Sequence, residues 1–212
     1  MQIRILGPLQ VVADDNVTKI GGARLRVLLL RLALEPGRTV DTGALARAVW
    51  PHEEPADRSH ALQELVSRLR RALPDRTAVR SEPGGYLLDL PTAAVDATEF
   101  EELVLDAERL LRSAQPAAAT QQLRDGLALW RGDALADAAQ TPFAIAAAAR
   151  LRELRLEAVE ELLAIELSLD GCAPVAELAE LVAAHPIRER LRLLYIRALH
   201  AEGRNAEALR AY

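Results

Sequence analysis

The chain has 212 residues, a formal net charge of −5, half its residues hydrophobic and only 3% aromatic. That length holds one large domain or two small ones, and a core so poor in rings is built from Leu, Ala and Val, which favours helices. The single cysteine, Cys172, excludes an internal disulfide and leads us to expect a reducing cytoplasm; no apolar run is long enough for a membrane span, and residues 1–6 are too short for a signal peptide. The charge is unevenly spread. Residues 1–92 carry 13 Lys and Arg against 11 Asp and Glu, whereas residues 93–212 carry 13 against 20. Such asymmetry predicts a different kind of partner for each half.

Residues 2–6 and 9–13 are rich in strand formers around Gly7-Pro8, and Asp14-Asp15-Asn16 turns the chain into a third short strand at 17–20. After Gly21-Gly22, residues 23–34 read as an apolar helix stopped by Glu35-Pro36-Gly37. Asp41 or Thr42 then caps a helix running to about Trp50. Pro51 to Pro55 is a rigid acidic loop. A helix over 57–73 follows, ended by Pro74-Asp75. Residues 79–81 and 86–90 alternate around Glu82-Pro83-Gly84-Gly85, the pattern of a β-hairpin. A linker over 91–95 leads to helices at 96–113, 116–130, 143–170, 174–184, 188–202 and from 205 onward. Small residues at Ala198, Gly203, Ala206 and Ala208 match a tetratricopeptide-like unit, where helices cross closely.

The segment over 57–73 organises the N-terminal part. Leu62, Leu65, Val66, Leu69 and Leu73 recur at helical spacing and form one apolar stripe. His60, Glu64, Ser67 and Arg71 point away from it, with Arg68 and Arg70 alongside. A helix with such a face fits a DNA major groove, its leucines resting on a small core behind. An ordinary surface helix with solvated arginines has the same pattern, so its neighbours decide. Sheet, three helices, hairpin is the order of a winged helix-turn-helix of the response-regulator type. The fold class expected is therefore an α+β winged helix-turn-helix domain, residues 1–92, followed by an all-α, tetratricopeptide-like domain, residues 93–212.

LARAVWPHEEPADRSHALQELVSRLRRAL followed by SEPGGYLLDL resembles the DNA-binding domain of the Streptomyces antibiotic regulatory proteins. LALWRGDALADAAQTPFA, ARLRELRLEAVEELL and ELVAAHPIRERLRLLYIRALHAEGRNAEALRAY are similar to the bacterial transcriptional activation domain of the same family. The likeness covers essentially the whole chain in the family's domain order. It implies a cytoplasmic activator of secondary-metabolite or morphological genes in actinobacteria. Such an activator binds direct repeats in double-stranded DNA near the promoter −35 region, as a homodimer on DNA, and contacts RNA polymerase including its sigma factor. The sequence departs from the pattern at Glu82, where the family's wing usually carries a basic residue. The family's activation domain also extends some tens of residues beyond the position of Tyr212, so a fragment of a longer protein is expected.

By resemblance Arg68 occupies a base-reading position and Arg70 a phosphate position, and His60 and Ala61 stand where the family touches phosphate. Arg71 and Ser67 complete the expected face. Arg24 and Arg26 are candidates for backbone contact, and Arg80 and Ser81 for contact from the wing. Glu64 is expected to pair with Arg68, four residues on. His52, Glu53 and Glu54 form an acidic loop that in the family faces polymerase; a solvated turn between two prolines is the other reading. Trp50 and Trp130 are expected in the core, with Trp130-Arg131-Gly132 as a helix C-terminus and its glycine cap. Glu157, Glu160 and Glu161 are expected to be solvated.

A second reading is a helical-repeat interaction module whose winged helix binds protein instead of DNA; Glu82 and the net charge motivate it. An enzyme is disfavoured, because GxxxxGK[ST], HExxH, CxxC and GxSxG are all missing from the sequence. No cofactor, metal or membrane is expected.

Overall fold

Three strands open the chain: β1 (Gln2–Arg4), β2 (Gln10–Ala13) and β3 (Asn16–Thr18), an antiparallel sheet in that order with Ile3 opposite Val11 and Val12 opposite Val17. The structure, a computed structural model, describes residues 1–52, 55–170 and 174–212. Glu53, Glu54 and Cys172 lie outside the described residues. The described chain forms two compact units, Met1–Glu102 with Ala128–Glu153, and Leu103–Leu127 with Leu154–Tyr212.

In the first unit, α1 (Ala23–Ala33) is the central helix. Leu25, Val27, Leu28, Leu29, Leu30, Leu32 and Ala33 are all buried, because α1 has neighbours on most of its circumference. Two of those neighbours are α2 (Thr42–Val49) and α3 (Arg58–Ala72). Asp41 caps α2, its carboxylate accepting from the N–H groups of Gly43 and Ala44 at 2.8 and 3.1 Å. Asp57 caps α3 through the N–H of His60 at 2.9 Å. Leu73, extended before Pro74, ends it. The predicted stripe is the buried one: Leu62, Leu65, Val66, Leu69 and Leu73 are each at most 5% exposed.

The hairpin is β5 (Val79–Glu82) and β6 (Gly85–Leu88), joined by Pro83-Gly84. Proline first and glycine second, with Gly84 at φ 85°, is the requirement of a type II turn. The sequence had no separate strand before α2, yet β4 (Val40–Asp41) pairs with β6, giving the order β4-β6-β5. Gly85 makes this possible. A Cβ there would stand 2.1 Å from the carbonyl oxygen of Val40.

The stretch expected as a linker is built into the first unit. Thr92–Ala94 forms a 3-10 turn and Val95 makes a parallel bridge to Ile3. The expected helix end at Trp130 is also corrected. Helix α5 (Pro116–Ala128) stops earlier, because Arg131 N–H is drawn to the carbonyl of Leu6 at 2.8 Å. Trp130, partly buried, stands edge-on to the fully buried Phe100, ring centres 5.5 Å apart, and so packs against the core from its margin.

The remaining helices are α4 (Asp96–Arg112), α6 (Pro142–Asp170), α7 (Val175–Ala184), α8 (Glu189–Ala201) and α9 (Asn205–Ala211). In the second unit α8 packs on α7 and α9. Leu163, Leu167, Val175, Leu178, Leu191, Leu194 and Leu199 form its core. Glu160 is not solvated as expected but 2% exposed, because Arg188 reaches its two oxygens at 2.5 and 3.4 Å.

Candidate nucleic-acid interface

The outer face of α3 is set by what the inner face buries. With Leu62, Leu65, Val66 and Leu69 committed to the core, His60, Glu64, Ser67, Arg68 and Arg71 are exposed. Arg68 makes no hydrogen bond or ion pair with the described residues, so its guanidinium is uncommitted. The expected Glu64–Arg68 pair is not formed. Glu64 turns instead toward His60, its Oε1 3.7 Å from Nε2. Arg71 folds back on its own helix, Nε donating to the carbonyl of Ser67 at 3.4 Å.

Arg24 joins this face from another element. It is exposed in the first turn of α1 and lines, with Trp50, Pro55, Ala61, Glu64 and Arg68, a groove of about 420 Å³. Helix α1 has no side-chain cap and no acidic residue in its first turn, so its N-terminal N–H groups add positive partial charge beside both arginines. Arg26, two residues on, is placed differently. Its Nε lies 3.0 Å from Asp137 Oδ1, and Asp137 also accepts from the N–H of Leu9 at 2.7 Å.

The arginines at and beside the wing, Arg80 on β5 and Arg70 on α3, are partnered. Arg70 donates from Nε to the carbonyl of Val79 at 2.8 Å and from Nη2 to Ser81 Oγ at 2.9 Å. Arg80 stands 3.0 Å from Asp89 and 3.5 Å from Glu82, and the hydrogen bond it donates to Asp89 raises its already high pKa further. Sequence reasoning missed Asp89 as the partner of Arg80; the hairpin register, which places Arg80 opposite Leu87, brings the two within reach. It also missed Arg76, exposed between α3 and β5. Next to it Asp75 accepts from the N–H and hydroxyl of Thr77, which holds its carboxyl below the ordinary value. His52 is exposed.

The structure thus brings Arg24 and Arg68 to one groove, with His60, Ser67 and Arg71 on the same exposed helix. It engages Arg26, Arg70, Arg80 and Ser81 within the protein.

A family model described as "Bacterial transcriptional activator domain" matches residues 95–212, and one described as "Transcriptional regulatory protein, C terminal" matches residues 21–88. Regulatory protein AfsR of Streptomyces coelicolor is 38% identical over 215 residues, covering all of this chain and 21% of AfsR. Transcriptional regulator RedD of the same species is 36% identical, and the chain spans 63% of it. Regulatory protein DnrI of Streptomyces peucetius is 34% identical, and the chain spans 82% of it. Among solved structures, Mycobacterium tuberculosis EmbR in complex with a low-affinity phosphopeptide superposes with a TM-score of 0.93 at 28% identity, covering all of this chain and 57% of that one. The chain belongs to the Streptomyces antibiotic regulatory protein family of transcriptional activators.

Proposed function

We propose that the chain is a sequence-specific DNA-binding activator in which α3 enters the major groove. The observation that carries this reading is the uncommitted Arg68 on the exposed face of a capped, core-anchored helix, with Arg24 and the open N-terminus of α1 in the same groove. A guanidinium forks onto guanine O6 and N7, and each phosphate neutralised releases counterion. Arg68 reads a base, and Arg24, His60, Ser67 and Arg71 hold the backbone. Arg26, Arg70, Arg80 and Ser81 act on the interface through the positions they fix.

In this reading residues 1–92 bind DNA and residues 93–212 serve activation. Two copies occupy a direct repeat near the −35 region, in the cytoplasm, and their helical domains present a surface to RNA polymerase. The loop from His52 to Glu54 meets the sigma factor, where its carboxylates suit a basic surface. The genes controlled are those of antibiotic or other secondary-metabolite synthesis. No cofactor or catalytic group takes part, and the purified chain does not hydrolyse ATP.

Selection from random duplex DNA at two salt concentrations tests this. Enrichment of a spaced direct repeat supports it. Binding that vanishes at modest salt without enrichment overturns it and favours the protein-binding winged helix, to which the engagement of Arg80 by Asp89 and Glu82 lends support.

A further inference from the structure

The recognition helix and the wing are joined by one side chain. Arg70 lies in the last turn of α3, between the buried Leu69 and the exposed Arg71, and is half-buried itself. Its two donors reach residues 9 and 11 positions further along the chain, the carbonyl of Val79 and the hydroxyl of Ser81. Both belong to β5, the edge strand of the β4-β6-β5 sheet. Asp89 N–H donates to the Ala78 carbonyl at 2.7 Å, so Ala78 and Asp89 are a hydrogen-bonded pair and Val79 and Leu88 are not. The Val79 carbonyl therefore faces the open edge of the sheet, where no strand can satisfy it. Arg70 supplies the missing donor.

A guanidinium is suited to this and an ammonium is not. Its donors are fixed in one plane and can meet two acceptors at once, whereas Lys carries a compact charge on a flexible stem. The strand is held at two points along its length, which fixes where it sits against α3 as well as how far away it stands.

We infer that Arg70 is a positioning residue for DNA recognition: it holds the wing at one place relative to α3, so that bases read by the helix and DNA contacted by the wing are recognised in fixed register. This rests on the DNA-binding reading above. It differs from the phosphate role implied by resemblance, because a phosphate anchor acts by charge and needs no Ser81. A strut acts by geometry and fails when either end is removed.

The test uses the full chain and duplexes selected from a random library by the unaltered protein. Arg70→Lys, Arg70→Gln, Ser81→Ala and the Arg70→Gln/Ser81→Ala pair are each put through the same selection and a salt titration. For a strut, Arg70→Lys and Arg70→Gln weaken binding of the selected duplex alike, by about tenfold, as does Ser81→Ala to a smaller degree. The pair is no worse than Arg70→Gln alone, the mark of two residues sharing one interaction. The preferences beyond the bases read by α3 fade in the variants while the central ones stay. Amide exchange at Arg80 and Glu82, whose N–H groups face β6, quickens in the variants with the melting transition little changed.

Three outcomes count against it. If Arg70→Lys binds as the unaltered chain does, and Arg70→Gln keeps all preferences with a salt slope smaller by about 1, Arg70 is a phosphate anchor. If Ser81→Ala changes nothing, or if both substitutions weaken binding and their effects add in the pair, the strut is overturned while the DNA reading stands. If the unaltered chain enriches nothing, the DNA reading falls and the strut's role falls with it.

Discussion

Asp96 at the start of α4 and Arg131 after α5 form an ion pair, with Arg131 Nη2 3.3 Å from Oδ2 and Asp96 only 5% exposed. The same carboxylate accepts from the backbone N–H groups of Ile5 and Leu6 at 2.6 and 3.1 Å. One buried acid thus ties the N-terminal sheet to segments ninety and more residues along. Burial pushes its pKa above the ordinary value, against the hydrogen bonds and Arg131, which pull it down. The folded chain therefore binds this proton more tightly than the unfolded chain. From this group alone, stability falls as pH rises from the unfolded value to the raised folded one. Asp96→Asn should abolish that part of the slope. It should also cost about 1–3 kcal/mol, a gap that narrows as pH rises through that window, since an amide offers a donor where Arg131 or Leu6 N–H needs an acceptor. Denaturant stability of both proteins from about pH 3 to pH 6 checks this. An unchanged slope assigns the titration elsewhere.

Gly85→Ala should disrupt the wing sheet. The new methyl would meet the Val40 carbonyl oxygen at 2.1 Å, and backbone cannot swing aside as a flexible side chain would. A loss of about 1–3 kcal/mol is expected from such overpacking. Gly84→Ala should cost about 1 kcal/mol, because the space beside it is open and only the positive φ is strained. Melting curves of the two variants should fall in that order. A reversed order would mean β4 shifts freely to make room.

Local signals in the sequence account for what was legible. The leucine spacing of α3, the cap at Asp41 or Thr42, and Pro83-Gly84 each act within a few residues, so their chemistry can be read without a fold. β4 escaped because two residues show no period, and its partner Tyr86 is far along the chain. Asp96 read only as the start of a helix, since the donors that bury it lie at Ile5 and Leu6. Glu160 sat among other glutamates and gave no hint of Arg188. The exposed face of α3 was legible as a face. Which of its arginines stays uncommitted was not, because the partner of Arg70 is a carbonyl that only the sheet register turns toward it.

Arg68 and Arg71 should fail differently. Arg68 is uncommitted and faces the groove beside Arg24, so Arg68→Ala should cost about 1–3 kcal/mol on the selected duplex and relax preference at one base position. Arg71 is bent back on Ser67, further along the helix, where a charge meets backbone more readily than a base edge. Arg71→Ala should weaken selected and random duplexes about equally and reduce the salt slope by about 1. An equal loss on both duplexes for Arg68→Ala would move Arg68 to a phosphate role.

Charge removal on the wing should strengthen DNA binding. Arg80 lies between Asp89 and Glu82 at 3.0 and 3.5 Å, so the hairpin presents two carboxylates for one guanidinium. Beside a phosphate backbone the surplus acid repels and the engaged arginine is withheld. Asp89→Asn removes the closer partner and the hydrogen bond that most strongly holds Arg80. Glu82→Gln removes the second carboxylate beside Arg80. The exposed ion pairs themselves add little to stability, so both variants should melt close to the unaltered chain. Each should bind random duplex more tightly at low salt, with a salt slope steeper by about 0.9 if Arg80 gains one phosphate. Titrations at three or more salt concentrations read the slope directly. Tighter binding with no change in slope would mean that only the repulsion is relieved. No change in either would place the wing away from DNA.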